Sequence, residues 1–184
     1  MCHRTGSQQS GGAVSRRPGR LPAVEVIEAS GQAALIDAAA QIWAEATAAR
    51  DGRAEVAALE DSRPVIQDVL DRSAHALLLI ACSADGTAAG FAAIEPLANR
   101  SESTAEIAYF GVSPRLWGRG VGETLLRETR QRLKAEGYAR AELSVYVANQ
   151  RATALYERVG WRPVGEPTPH PRTGRPEQRY ELRV

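Results

Sequence analysis

The stretch from Val112 to Gly122, VSPRLWGRGVG, decides how the rest of the chain reads. Before it, Thr104 to Val112 is an apolar run of strand character that carries Glu106; after it, Leu125, Leu126, Thr129 and Leu133 recur at helical spacing until Gly137. Glycines 118, 120 and 122 therefore stand between a strand and the N-terminus of a helix. There the backbone N–H groups converge and the helix dipole adds roughly half a positive charge, which makes an anion site that Arg119 strengthens. The bland alternative is a flexible loop into a helix, but glycine at alternate positions costs helix stability. Two well-known phosphate loops fail on single residues. A P-loop ends in Gly-Lys-Ser/Thr, whereas Gly122 is followed by Glu123 and Thr124. The dinucleotide fingerprint GxGxxG needs glycine where Glu123 stands, and the strand ends several residues too early for it.

Downstream, Ala141 to Val147 reads as a strand, and Asn149 is placed to cap a short helix from Gln150 to Val159 that Gly160 stops. Trp161 to Gly165 and Gln178 to Arg183 read as closing strands around a Pro-rich connection. Upstream, Ala76 to Ser83 and Ala88 to Pro96 are apolar runs joined through Asp85-Gly86, a strong hairpin signal. Before them, AVEVIEA from Ala23 to Ala29 alternates as a half-buried strand does, residues 32 to 50 carry helical periodicity, and Asp61 or Ser62 before Pro64 starts a second helix ending near Arg72. This order mixes antiparallel hairpins with a parallel crossover through the central helix, so the class is α/β or α+β with a mixed sheet.

The 184 residues suit one domain with a single core, 43% hydrophobic and 24% charged as in ordinary globular chains. The longest apolar run, Ala74 to Cys82, is interrupted by His75 and is far shorter than the roughly 20 residues of a membrane span. Net charge is +1, so no global field favours nucleic acid or membrane; yet residues 1–22 hold Arg4, Arg16, Arg17 and Arg20 without an acid, which leaves 19 basic against 22 acidic residues, or −3, for the rest. Residues 1–22 read as a disordered basic extension without a secretory h-region, and 23–184 as the domain. Cys2 and Cys82 make no disulfide framework, which fits a soluble protein of the reducing cytoplasm.

Val112-Ser113-Pro114 followed by Trp117-Gly118-Arg119-Gly120-Val121-Gly122 resembles the pyrophosphate loop of the GNAT superfamily of N-acetyltransferases, written Q/R-x-x-G-x-G/A after a strand ending in Val-x-Pro. Trp117 departs from it at the Gln/Arg position. LSVYVANQRATALYERVGW, Leu143 to Trp161, is similar to the family's L-x-V-x-x-x-N-x-x-A-x-x-L-Y-x-x-x-G-F, with Trp161 in place of the last Phe. The detailed likeness covers about residues 104 to 165. It implies a mostly antiparallel mixed sheet flanked by helices, whose central strands, near Thr104–Val112 and Ala141–Val147, splay to receive acetyl-CoA. It implies direct acetyl transfer to an amine without an acyl-enzyme.

The same resemblance assigns site residues. Trp117, Gly118, Arg119, Gly120, Val121 and Gly122 would hold the cofactor's pyrophosphate, Asn149 would reach the pantetheine arm or its water, and a strand N–H among Phe110, Gly111 and Val112 would face the developing oxyanion. Asn149 fits a plain helix N-cap equally, and the two roles are compatible. Tyr156 is either one of an apolar stripe beside Leu155 or the acid that protonates the leaving thiolate, its phenol having a pKa near 10. Glu106 is either a surface carboxylate or the acceptor of the amine proton. An amine of pKa about 10.4 is neutral in only about one molecule in 2,500 at pH 7, so a base is needed, and burial would raise the Glu pKa toward usefulness.

Acceptor specificity in such a fold comes from the segment between the first helices, here Arg50 to Arg63, and from the loop between the last strands, Glu166 to Glu177. In that loop Pro167, Pro169, Pro171 and Pro176 restrict the backbone, and His170, Arg172 and Arg175 are the candidate substrate residues. The arginines either orient a carboxylate or phosphate on the acceptor, or are solvated or paired with Glu166 and Glu177. His170 is a loop residue or a base, and His75 a structural one. No residue cluster has metal-ligand spacing, so no metal is expected. The partners expected are acetyl-CoA and an amine, small molecule or peptide, with a homodimer left open; a non-catalytic acyl-CoA-binding sensor or structural module is the competing reading.

Overall fold

A computed structural model describes residues 24–97 and 103–184; the proposed extension, residues 1–22, lies outside the described residues. The elements are β1 (Glu25–Glu28), α1 (Ala33–Arg50), α2 (Leu59–Asp71), β2 (Leu77–Cys82), β3 (Ala88–Pro96), β4 (Thr104–Val112), α3 (Val121–Ala135), β5 (Arg140–Tyr146), α4 (Gln150–Arg158), β6 (Arg162–Pro169) and β7 (Pro176–Arg183), with a 3-10 turn at Pro114–Leu116. The seven strands form one sheet in the order β1-β2-β3-β4-β5-β7-β6. Every neighbouring pair is antiparallel except β4 and β5. This is the mixed, mostly antiparallel sheet that the sequence implies.

Both faces of the sheet are covered, which is why β2 reads LLLIAC without polar alternation. Leu77, Leu79 and Ala81 point toward α3, among Val121, Leu125, Leu126 and Leu133; Leu78 and Ile80 point the other way, among Ile36, Ala40 and Ile42 of α1 and Ile66 and Val69 of α2. The β2–β3 hairpin closes at Asp85-Gly86 as expected, with Gly86 at φ +81 and the Thr87 N–H donating to Asp85 Oδ1 at 3.0 Å.

Two segments differ from the sequence reading. Helix α2 starts at Leu59, earlier than Asp61 or Ser62, so Pro64 lies inside it and not at its first position. Glu60 and Asp61 complement the dipole of that first turn, and the Ser62 hydroxyl donates to the Ala58 carbonyl at 2.9 Å. Half of the Pro-rich connection from Glu166 to Glu177 is strand: β6 runs on to Pro169 and β7 begins at Pro176. Prolines 163, 167 and 169 are tolerated because β6 is the outer strand of the sheet, where an N–H facing outward has no ladder bond to lose. Gly165, at φ +69, accompanies the register shift between Val164 and Thr168.

The feature that positions the site is the parting of β4 from β5. Their pairing stops after Thr104–Arg140, Ala105–Ala141 and Glu106–Glu142. Beyond that point β4 keeps its pairing with β3 through Val112, and β5 keeps its pairing with β7 through Tyr146. Residues 107–112 and 143–146 thus border a wedge, apex at Glu106 and Glu142. A bulge bends β4 at the same place: Ile94 faces Ile107 but Ala93 faces Tyr109, leaving Ala108 without an opposite.

Candidate active site

The glycine turn closes the open end of the wedge. Gly118 and Gly120 lie at φ +75 and +85, left-handed values that only glycine adopts without strain, and Gly120 is the N-cap of α3. No side chain caps that N-terminus, so the first-turn N–H groups at Val121, Gly122 and Glu123 have no intrahelical acceptor. Gly122 has a different reason to be glycine: a Cβ there would come within 2.9 Å of Leu155 Cδ2 on α4. At Gly111 a Cβ would meet the Phe91 ring at 2.5 Å.

Trp117 turns back from this loop. Its indole Nε1 donates to the Val112 carbonyl at 2.8 Å, and the Arg151 guanidinium lies 4.1 Å from its ring centroid. The Trp117 side chain therefore ties the loop to the end of β4 and to the start of α4. Asn149 is the N-cap of α4, its Oδ1 accepting from the Ala152 N–H at 3.3 Å.

Tyr156 is 5% exposed and packs across the wedge on the α3 side, its ring 6.1 Å from Phe110 on β4 and 6.1 Å from Tyr180 on β7. Burial pushes its phenol well above the ordinary value, so the hydroxyl keeps its proton. Glu106 stands at the apex on the opposite face, since Ala105 and Ile107 beside it join the α3 cluster. Its carboxyl is pushed up by burial, then by the carboxylates of Glu95 and Glu142 and, more weakly, Glu177, against a lowering by Arg72. Glu95 is held by Arg72 at 2.6 Å, and Glu142, itself buried, faces Arg179 at 3.9 Å. Register explains the grouping: Glu95 is opposite Glu106 and Glu106 opposite Glu142.

The acceptor-side candidates meet at the tip of the β6–β7 hairpin. Arg175 is not paired with Glu166 or Glu177; it binds Asp51 at the end of α1 at 2.9 Å and stacks on Tyr146 at 4.3 Å. Arg50 pairs with the same Asp51 at 2.9 Å and lies 5.0 Å from the Tyr146 ring centroid. Arg50 first and then Arg175 hold the Asp51 carboxyl far below the usual range. His170 edges onto Tyr146, and its Nδ1 accepts from the N–H groups of Arg172 and Thr173 at 3.2 and 3.3 Å, so that nitrogen serves the turn. Arg172 is exposed.

Sequence reasoning missed Asp51, Tyr146 and Arg151, whose roles arise from contacts between remote segments, and it missed Glu142. A carboxylate inside the apolar strand at 140–146 is the same signal as Glu106 and was there to be read. Among the described residues no group of His, Cys, Asp or Glu is arranged to hold a metal.

Residues 36–161 match the Acetyltransferase (GNAT) family. A mycothiol acetyltransferase of Beutenbergia cavernae is 45% identical over 62 residues, 34% of this chain and 21% of that protein. One of Clavibacter michiganensis subsp. michiganensis is 35% identical over 119 residues, 62% of this chain and 38% of that protein. The chain thus spans well under half the length of these two relatives. Among solved structures, the ribosomal-protein-S18-alanine N-acetyltransferase from Escherichia coli superposes at TM-score 0.64 with 21% identity, over 87% of this chain and 94% of that one. A chain of the NatC complex bound to Gag peptide and CoA matches at TM-score 0.63 with 14% identity, over 88% and 98%. At such identities the likeness to these structures concerns the fold. The family match runs from within α1 to Trp161 and so takes in both sides of the wedge and the glycine turn, which makes this chain a member of the GNAT acetyltransferase family.

Proposed function

We propose that the chain transfers an acetyl group directly from acetyl-CoA to an amine. The observation that carries this reading is the break in β4–β5 pairing after Glu106 and Glu142, which opens toward an uncapped helix N-terminus. Unpaired backbone groups of residues 107–112 can bond an amide-bearing arm as an added strand would. The N–H groups at Gly118 to Glu123, with Arg119, suit a pyrophosphate. Asn149, already the α4 cap, keeps its amide NH2 for the pantetheine.

In the transfer, the amine nitrogen attacks the thioester carbon, the N–C bond forms and the C–S bond breaks. Glu106 takes the proton from the attacking amine, directly or through water, and the Tyr156 hydroxyl supplies one to the departing thiolate. An N–H near Phe110 to Val112 faces the oxyanion. The carboxylates of Glu95, Glu106 and Glu142 favour approach of a cationic amine. Of the two rim arginines, Arg175 is committed to Asp51, so Arg172 is the one with a guanidinium available to an anionic group on the acceptor.

A binding module without catalysis is the second reading, favoured by the place of Tyr156 within a buried aromatic group. Release of CoA thiol from acetyl-CoA, followed with a panel of amines that includes mycothiol-related ones, separates the two. Amine-dependent release that falls on Tyr156→Phe, with acetyl-CoA KM nearly unchanged, supports the transfer. Tight acetyl-CoA binding with no release for any amine leaves the module.

A further inference from the structure

A surface hollow of about 430 Å³ lies away from the wedge, where Arg130 of α3, Arg140 of β5, Arg162 of β6 and Arg183 of β7 converge, with Glu181 as the one carboxylate lining it among the described residues. It shares no lining residue with the glycine turn. Arg140 begins β5 beside Thr104, at the closed end of the wedge. Arg130 is nine residues along α3 from Val121, or ~14 Å at 1.5 Å per residue.

Several arginines on the sheet and helices are tied to carboxylates, Arg63 to Asp37, Arg72 to Glu95, Arg127 to Glu123, Arg132 to Glu136 and Arg179 to Glu142, whereas Arg151 and Arg158 of α4 have no ion pair among the described residues. In the hollow, Arg140 faces Glu181 at 3.8 Å, while Arg130, Arg162 and Arg183 have no ion pair among the described residues. Three guanidiniums brought together from α3, β6 and β7 without an ion pair repel one another, and an anion with several charged oxygens would relieve them by bidentate bonding. The size falls within the range of small-molecule sites, larger than a single orthophosphate needs. Val164 and Leu182 supply an apolar floor for a flat body.

We propose that this hollow is a second ligand site, separate from the acetyl-CoA cradle, for a small molecule bearing a di- or triphosphate group. The shared chemistry is the polyphosphate, whether free or as a nucleoside phosphate. The test is calorimetric titration of the full chain, saturated with acetyl-CoA, with inorganic triphosphate and with ATP in separate arms. One molecule bound per chain is expected, weakening steeply with added salt. Arg162→Gln with Arg183→Gln should weaken it at least about tenfold, and Glu181→Gln should tighten it, with acetyl-CoA affinity unchanged in both; circular dichroism checks that the variants fold. Tighter binding of triphosphate supports a free polyphosphate, and tighter binding of ATP a nucleotide. No binding in either arm, equal binding by the double variant, or displacement by acetyl-CoA would overturn the site. Short duplex DNA that binds the same arginines more tightly than either probe would replace the small molecule with a nucleic acid.

Discussion

Glu106 has a carboxyl that burial and two neighbouring glutamates push above its ordinary value, and this has opposite consequences for activity and for stability. If Glu106 accepts the amine proton as proposed, it must be ionised to work, so kcat/KM should fall as pH drops through the raised pKa, with an acid limb above the usual Glu range. Glu106→Gln should remove that limb and lower kcat about a hundredfold or more. For folding the sign reverses. Between the unfolded and the folded pKa the native state holds more protons than the unfolded one, so stability falls as pH rises across that window. Glu106→Gln should therefore raise the Tm at neutral pH, and its advantage over wild type should vanish below the unfolded pKa. A loss of Tm at neutral pH would mean that the carboxylate is held by partners stronger than its burial. Gly120→Ala tests the turn: a side chain at φ +85 costs about 1–2 kcal/mol, and the distorted cradle should raise the acetyl-CoA KM. Steady-state kinetics with an unchanged KM would deny the turn its role.

Strands β2 to β5 and helices α1, α3 and α4 follow closely from periodicity and from Gly, Pro and Asn punctuation, because local pattern and tertiary burial agree there. The β6–β7 hairpin does not. Four prolines within residues 167–176 read as a loop, yet Pro167 and Pro169 sit in the outer strand β6, Pro176 begins β7, and Pro171 lies in the turn between them. The hairpin's tie to α1 was equally illegible, since Asp51 and Arg175 are 124 residues apart in sequence. Gly118 and Gly120 were legible because each answers a local turn, whereas Gly122 answers a contact with Leu155 on α4, and the alternatives for Tyr156 and Asn149 stayed open because packing and chemistry favour the same residue. The clasp itself gives a prediction. Asp51, with its carboxyl held low by Arg50 and Arg175, contributes stability that is present above the unfolded pKa and is lost as pH falls toward its folded value. Asp51→Asn should cost about 0.5–1 kcal/mol at neutral pH, as partly exposed ion pairs do, and should speed amide exchange at 170–176 more than elsewhere. Exchange there equal to wild type would show that β6–β7 pairing alone holds the tip.

Across the molecule, one sheet with helices on both faces is interrupted at a single seam. Around that seam the two faces carry different chemistry: Tyr156 and the aromatic rings of Phe110 and Tyr180 on the α3 side, Glu95, Glu106 and Glu142 on the side of α1 and α2. A thioester entering from the glycine turn and an amine arriving over the carboxylates would meet where β4 and β5 part. The overall charge of +1 says nothing of this, because the acids at the apex and the arginines at the far hollow cancel in the sum. Amide hydrogen exchange with and without saturating acetyl-CoA reads the seam directly. The account predicts new protection confined to residues 107–112 of β4, the start of β5's free segment at 143–146, and the turn from Gly118 to Glu123; binding of acetyl-CoA without protection along β4, or protection centred elsewhere, would contradict it.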